Sequence, residues 1–406
     1  MRRTLYLLFV LLTVLLCGCQ PAEHHRFDPA QVSFNVSYEP LFSGRIYPSY
    51  ILGIDQKMEA DTQSLFTVSL VSPVKDAVLR VVVDSSQLNY VTILQEVMPE
   101  RGKTYTYHPK VKWKYDKLYN LRQQGTVDLT FVCYVNDEEV DVKNMRLNYR
   151  SVNECLLSAR KDGVTHNFKW LFAGYVNEDH PYIDQILSDI LAQGVVQRFS
   201  GYQSGTVTPQ AQVFAIWNYA LERGIGYSSI SCTSNPSNTA NVQHIRFFDE
   251  VYNTRQANCI DACVFFASIL RKIGLKPVIF VEPCHAYLGY YTDRQRRHLA
   301  LLETTMTSWV NFPSLQRSLD ADGRLPDEQM KKIRKYLTDE QATQYESGKM
   351  TFDELKLAVS KSLFDKATDY ERENYEKNKA AFADPSNMSY QQLDIEQLRK
   401  QVQPIN

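Results

Sequence analysis

The spacing of apolar residues changes once along this chain, near residue 152, and that change constrains the fold more than any other feature. From Val32 to about Val152 apolar residues recur at every second position. From about Asn153 helical spacing takes over, mixed with short apolar runs. A two-residue period buries one face of a strand, and a 3.6-residue period buries one face of a helix. A multidomain chain is therefore expected, with an all-β domain over 32–152 followed by an α+β domain over 153–312. Candidate strands in the first part are Val32–Tyr38, Leu65–Val71, Ala77–Asp84, Tyr90–Val97, Val127–Val135 and Val140–Leu147.

Val127, Leu129, Phe131, Cys133 and Val135 fall on one strand face, so Cys133 reads as core. Asn136-Asp137 is a hairpin turn into the next strand. Several short strands in so short a stretch point to an antiparallel sandwich of immunoglobulin-like type. In the second part Ile183–Leu191 and Gln210–Arg223 read as helices. The latter carries Val213, Ile216, Trp217, Ala220 and Leu221 on one stripe and ends at Gly224. Ser228–Asn241 reads as a polar loop and Asn258–Ile273 as a helix. Val278–Val281, His285–Tyr291 and Leu299–Thr304 read as strands. Beyond about Asn311 the sequence is charged and helical. Thr351-Phe-Asp-Glu354 is a capping box opening a long helix that stops by Pro385. Residues 313–406 are thus expected to form a helical C-terminal extension packing on the α+β domain, most of its charge facing solvent.

Hydrophobic residues make up 44% of the 406 and charged residues 22%, which excludes a disordered chain. The 45 basic and 46 acidic residues leave no excess charge to hold nucleic acid. Two arginines, an apolar run from Leu5 to Leu16 and then small residues open the sequence, the layout of an export signal. Leu16-Cys17-Gly18-Cys19 resembles a bacterial lipobox. That resemblance implies a signal peptide over 1–18, lipidation at Cys19 and a tether over 19–31. It also implies a lipid-anchored place in the bacterial cell envelope, at the outer membrane or cell surface rather than the inner membrane. The other cysteines are too sparse for a disulfide framework, and Cys259, Cys263 and Cys284 cluster as a site would.

Asn258 is a good N-cap and Asp261, three residues on, completes a box-like arrangement, so Cys259 takes the first helical position. The free N–H groups and the dipole of a helix start favour an anion there, hence a thiolate. A thiolate is a nucleophile, and its own N–H can receive an oxyanion. Cys263, one turn on, reads as a small core residue. A nucleophile needs an oriented base. His285 and Glu303 lie on two candidate strands joined by the polar turn Thr292–Arg297. If that hairpin centres on Arg294, the two face each other across the strands, ~5 Å apart at Cβ.

Cys259, Arg271-Lys-Ile-Gly274-Leu-Lys-Pro277, His285-Ala286-Tyr287 and Glu303-Thr304 together resemble the transglutaminase-like (papain-like cysteine) superfamily. GYQSG (201–205), AIWNYALERGIGY (215–227), the 243–270 segment and LDIEQLRKQVQPI (393–405) look like a bacterial branch of it. The resemblance covers roughly 170–406. It implies a papain-like α+β core with a Cys259-His285-Glu303 triad, and Gln243 is a candidate oxyanion donor. Three positions depart from the common pattern. Asn258 and Cys284 stand where many members have Gly, and Glu303 stands where many have Asp. Cys284 brings a second thiol close to the site and with it the option of a disulfide lock.

The expected activity is that of a thiol enzyme acting on a peptide or amide bond, by hydrolysis in preference to transamidation. Its substrate would be a peptide or protein, cell-wall peptide included, with membrane attachment through the N-terminal lipid and no nucleic-acid partner. No cofactor and no metal is expected. A zinc site from Cys259, Cys263, Cys284 and His285 fits the Cys-x3-Cys spacing only loosely and would consume the nucleophile. The competing reading is a catalytically silent member that serves as a surface binding module.

Overall fold

The computed structural model describes residues 26–54, 64–203, 207–228 and 239–405. It is a mixed α+β protein with several antiparallel sheets. The signal segment, Cys19 and the start of the tether lie outside the described residues, as does most of the polar loop at Ser228–Asn241. Among the described residues no helix is long and apolar enough to cross a membrane.

The chain forms two compact units. The first is built from residues within Met1–Glu39, Asp61–Trp113 and Asp128–Arg146, and the second from the remainder. Residues 40–60 and 114–127, inside the range 32–152, thus belong to the second unit. The first unit holds two groups of antiparallel strands. In one, Phe66–Val71 runs between Phe34–Tyr38 and Thr104–Tyr107. In the other, Ala77–Val83 runs between Thr92–Met98 and Gly125–Val135. All six strands anticipated from the period of two are present, with ends shifted by a few residues. Thr104–Tyr107 was not anticipated, because its four residues Thr-Tyr-Thr-Tyr carry no apolar alternation. Register does the sealing: Leu79, Val81 and Val83 stand opposite Val135, Cys133 and Phe131, all fully buried. Phe66 and Phe131 meet with ring centroids 5.3 Å apart, which joins the two sheets into one core. At the hairpin Asn136 and Asp137 take φ of 52° and 66°, the left-handed pair that a two-residue turn of matching twist requires.

The second unit is helices around a four-stranded antiparallel sheet. Its strand order is Leu299–Leu302, His285–Tyr291, Pro277–Glu282 and Gln391–Asp394. The last strand corrects the expectation of a wholly helical C-terminal extension: the chain returns to extend the edge of the sheet. Gln391-Gln-Leu-Asp is too short and polar to announce a strand, and only the open edge of Pro277–Glu282 makes it one. A second sheet, also unanticipated, sets Glu154–Lys161 between Val164–Asn167 and Ala240–His244.

The helices follow local rules. Thr208 caps Pro209–Arg223, and Gly224 ends it at φ 70°. Thr351 and Glu354 form the capping box of the 32-residue helix Phe352–Ala383. Leu355, Val359, Leu363 and Ala367 bury one stripe of that helix, and Phe382 joins a core cluster with Val278, Phe280, Tyr287 and Leu301 on the sheet. The helix Cys259–Lys272 is buried from Ile260 to Leu270, with Phe265 stacked on Phe248 at 4.6 Å. Such burial on all sides fixes where its N-terminus, and Cys259, can stand.

Candidate active site

The start of the Cys259 helix is held from two directions. Asn258 Oδ1 accepts from the Asp261 N–H at 2.9 Å, and Asp261 Oδ2 accepts from the Asn258 N–H at 3.0 Å. Asp261 is fully buried and has further donors: the Arg246 N–H at 2.8 Å and Arg246 Nη1 at 2.8 Å. Burial raises the Asp261 pKa against the pull of these donors. The buried ion pair therefore ties the 245–247 turn to the helix that presents the thiol. Asn258 and Asp261 cap as the sequence predicts; the part of Arg246 could be read only as an element of the Gln-x-Ile-Arg segment.

The strand hairpin differs from expectation in its register. Leu288 pairs with Leu302 and Tyr290 with Ala300, so the hairpin centres on residue 295 rather than Arg294. Glu303 lies just past the strand end, where its side chain caps the short 3-10 helix Thr304–Ser308. Continued one step, the register sets Glu303 beside Tyr287, and His285 becomes its diagonal neighbour. Because the shift moves the partner by two residues, the face is kept. A diagonal pair has Cα atoms ~7–8 Å apart, within reach of a long side chain. The extra methylene of Glu over Asp helps span that diagonal. His285 Nε2 and Glu303 Oε2 are 2.6 Å apart, and Glu303 Oε1 accepts from the Thr305 N–H at 2.8 Å. An ionised carboxylate can only accept, so Nε2 carries a proton for Glu303, and Cys259 lies near enough to the ring to favour its charged form.

A fourth group stands here that the sequence reading passed over. Glu371, on the Phe352–Ala383 helix, is fully buried, with Oε1 3.6 Å from His285 Nε2. Its Oε2 accepts from Asn374 Nδ2 at 3.0 Å, and Asn374 also reaches both oxygens of Glu282 at 3.2 Å. The Glu303 N–H donates to the carbonyl of Ala367 at 3.2 Å, which fixes the helix so that Glu371, one turn on, arrives beside His285 and Glu303. A signal was present in the sequence: Leu355, Val359, Leu363, Ala367 and Glu371 recur every fourth residue, so the acid continues an apolar stripe.

The electrostatics follow from this packing. Burial disfavours the charged ring of His285, yet Cys259, the hydrogen-bonded Glu303 and the nearby Glu371 outweigh it and raise its pKa to about 12. Burial also works against charge on Glu303, but its bond to His285, with Glu371 and the Thr305 N–H close by, holds it down to about 2. Glu371 is raised to about 7, first by burial and then by Glu303 beside it.

The thiol and the ring open on a cleft of about 360 Å³, lined among others by Phe172, Tyr227, Gln243, Cys284 and Pro283. A larger hollow of about 870 Å³, between residues 335–350 and the long helix, is lined by none of Cys259, His285 and Glu303. Gln243 lines the cleft, and one of its amide protons goes to the His244 carbonyl at 3.0 Å. Cys284 is exposed in the turn before His285, with φ 64°. That region favours glycine, which accounts physically for the Gly common at this place in the resembled family. Cys263 is core, as expected: it is fully buried, with Sγ 3.8 Å from Thr304 Oγ1, and burial pushes its thiol up. Among the described residues, the side chains gathered closely enough to hold a metal ion are His285, Glu303 and Glu371, whose ligand atoms all lie within 4.8 Å of one another. Cys19 lies outside the described residues. No protein-family model matches the chain, and no curated protein matches it.

Proposed function

We propose that this chain is a lipid-anchored thiol enzyme of the bacterial cell envelope, with an immunoglobulin-like β unit and a transglutaminase-like core, that cleaves a peptide or amide bond. The observation that carries this reading is a single imidazole ring bonded through Nε2 at 2.6 Å to a buried carboxylate and sharing the wall of one cleft with the Cys259 thiol. In the first step the Cys259 thiol, its proton passed to the His285 ring, bonds through sulfur to the carbonyl carbon, and the carbonyl electron pair moves onto oxygen. As first residue of its helix, Cys259 has an amide N–H with no acceptor within the helix, and it is available to that oxyanion. Collapse of the adduct expels the amine, which takes a proton from His285. The ring then removes a proton from water, whose oxygen displaces the thiolate and releases the acid. Glu303 holds the ring and supports its charge throughout. An amine in place of water would give transamidation.

Iodoacetamide tests this reading without a known substrate. Cys259 should be alkylated at pH 6, where an ordinary thiol of pKa ~8.5 reacts little. His285→Ala should slow that reaction by tenfold or more, and Cys263→Ala and Cys284→Ala should leave it intact. If His285→Ala changes nothing, the catalytic reading fails and a binding module with an inherited fold is the better description. The location is tested separately: Cys19→Ser should release the protein from membranes or block its processing, and a variant that still sediments with lipid would refute the anchor.

A further inference from the structure

Two buried carboxyl groups stand beside one imidazole, and the chemistry of a Cys-His-acid triad needs only one. Glu303 accounts for the Nε2 bond. Glu371 is as deeply buried, yet it has no bond to the ring and its Oε1 has no hydrogen-bond partner at all. Its other oxygen is occupied as an acceptor by Asn374. A proton on Glu371 therefore belongs on Oε1, beside Nε2 and Glu303.

The groups around Glu371 argue for such a proton. Cys263 faces it from the Cys259 helix, His285 and Tyr287 from the central strand, and Glu303 from the strand end. Glu282 stands on the far side of Asn374. Of these only His285 can carry positive charge. Two carboxylates so close, in a site shielded from water, cannot both stay ionised against one cation.

We propose that Glu371 holds a proton directed at Glu303 and is a positioning residue of the triad, keeping the charge that His285 faces at one carboxylate. The proposal rests on the triad reading above. It gives the second acid a role: with Glu371 neutral, the ring is supported by one negative charge and can still release its proton to a leaving amine. Once Glu371 ionises, two carboxylates hold the imidazolium, and the ring becomes a poorer acid. Proton release by His285 is thereby coupled to a group titrating near neutral pH. No atom of Glu371 touches the thiol or the scissile bond in this scheme.

Infrared spectroscopy of the full chain tests this directly. The wild-type protein should show the carbonyl stretch of a neutral carboxylic acid that disappears as pH rises through about 7. Glu371→Gln should remove that band while keeping an N–H donor for Glu303. Glu303→Gln should move its midpoint to lower pH, because the neighbouring charge is gone. Ring nitrogen NMR should then find His285 losing its proton at a lower pH in Glu371→Gln than in the wild type. The proposal is overturned if the wild type lacks the neutral-acid band at pH 6, or if the band survives in Glu371→Gln. It is equally overturned if the purified protein carries a metal ion that Glu371→Gln releases. The alkylation test stands apart: its failure with the band behaving as expected would remove the enzyme reading and leave the shared proton.

Discussion

The β unit and the site-bearing unit bury very different groups. On the strand Gly125–Val135, alternation sends Leu129, Phe131, Cys133 and Val135 inward, each fully buried, and their neighbours outward. Nothing polar is left inside that face, and burial pushes the Cys133 thiol up to about 12, where it is inert. In the second unit, Asp261 and Glu371 are fully buried and Glu303 is 3% exposed. Buried charge costs stability unless it is paired, so its presence needs a reason other than folding. The contrast teaches where chemistry is to be sought: among the described residues, the fully buried acids gather around Cys259 and His285.

The widest separation between the two units should come from Phe131→Ala. Loss of a fully buried ring that bridges two sheets should cost ~3–5 kcal/mol in the unfolding of the β unit. Alkylation of Cys259 at pH 6 should be unchanged in the folded protein, and a slower rate would show that the two units are not independent in function. Arg246→Ala should come next, at ~3 kcal/mol, because it strands the Asp261 carboxylate without its cation. Here alkylation should slow as well, since Asp261 fixes the start of the helix that carries Cys259. Thermal unfolding and alkylation rates of Arg246→Ala together with Asp261→Asn should show partial recovery of stability, and no recovery would mean that the pair is not the cause.

The smallest effect is one of pH. Glu371 is raised from the ordinary 4.5 to about 7, so the stability tied to its neutral form is complete below 4.5 and is lost as pH rises through 7. His285, raised from 6.5 to about 12, acts in the same direction at higher pH. Glu303 has the opposite sign: held at about 2, it contributes above 4.5 and loses that contribution as pH falls through 2. Stability to urea should therefore decline between pH 5 and 6.5, below the range of His285, by on the order of 2 kcal/mol. Glu371→Gln should flatten that decline, whereas Cys133→Ala, in the other unit, should shift the whole curve without changing its slope. A wild-type curve without the slope would remove the contrast drawn here.

Local order along the chain was written in the sequence. The strand alternation, the Asn136-Asp137 turn, the Thr351–Glu354 box and the Asn258–Asp261 cap each involve residues close together in the chain, and their hydrogen bonds follow from that spacing. The same holds for Cys259 at a helix start. Partners far along the chain were not legible. Whether His285 met Glu303 depended on a hairpin register, and a shift of one residue in its centre changed a facing pair into a diagonal one. Gln391–Asp394 became a strand because an edge was open beside it. Glu371 became part of the site because Ala367, one turn earlier, accepts the Glu303 N–H and sets the rotation of a long helix. The sequence by itself thus determined which residues could do chemistry and the local conformation that presents them. The tertiary structure decided which of them share a cavity and what charge they can carry there, because burial and partnership are properties of packing between distant segments.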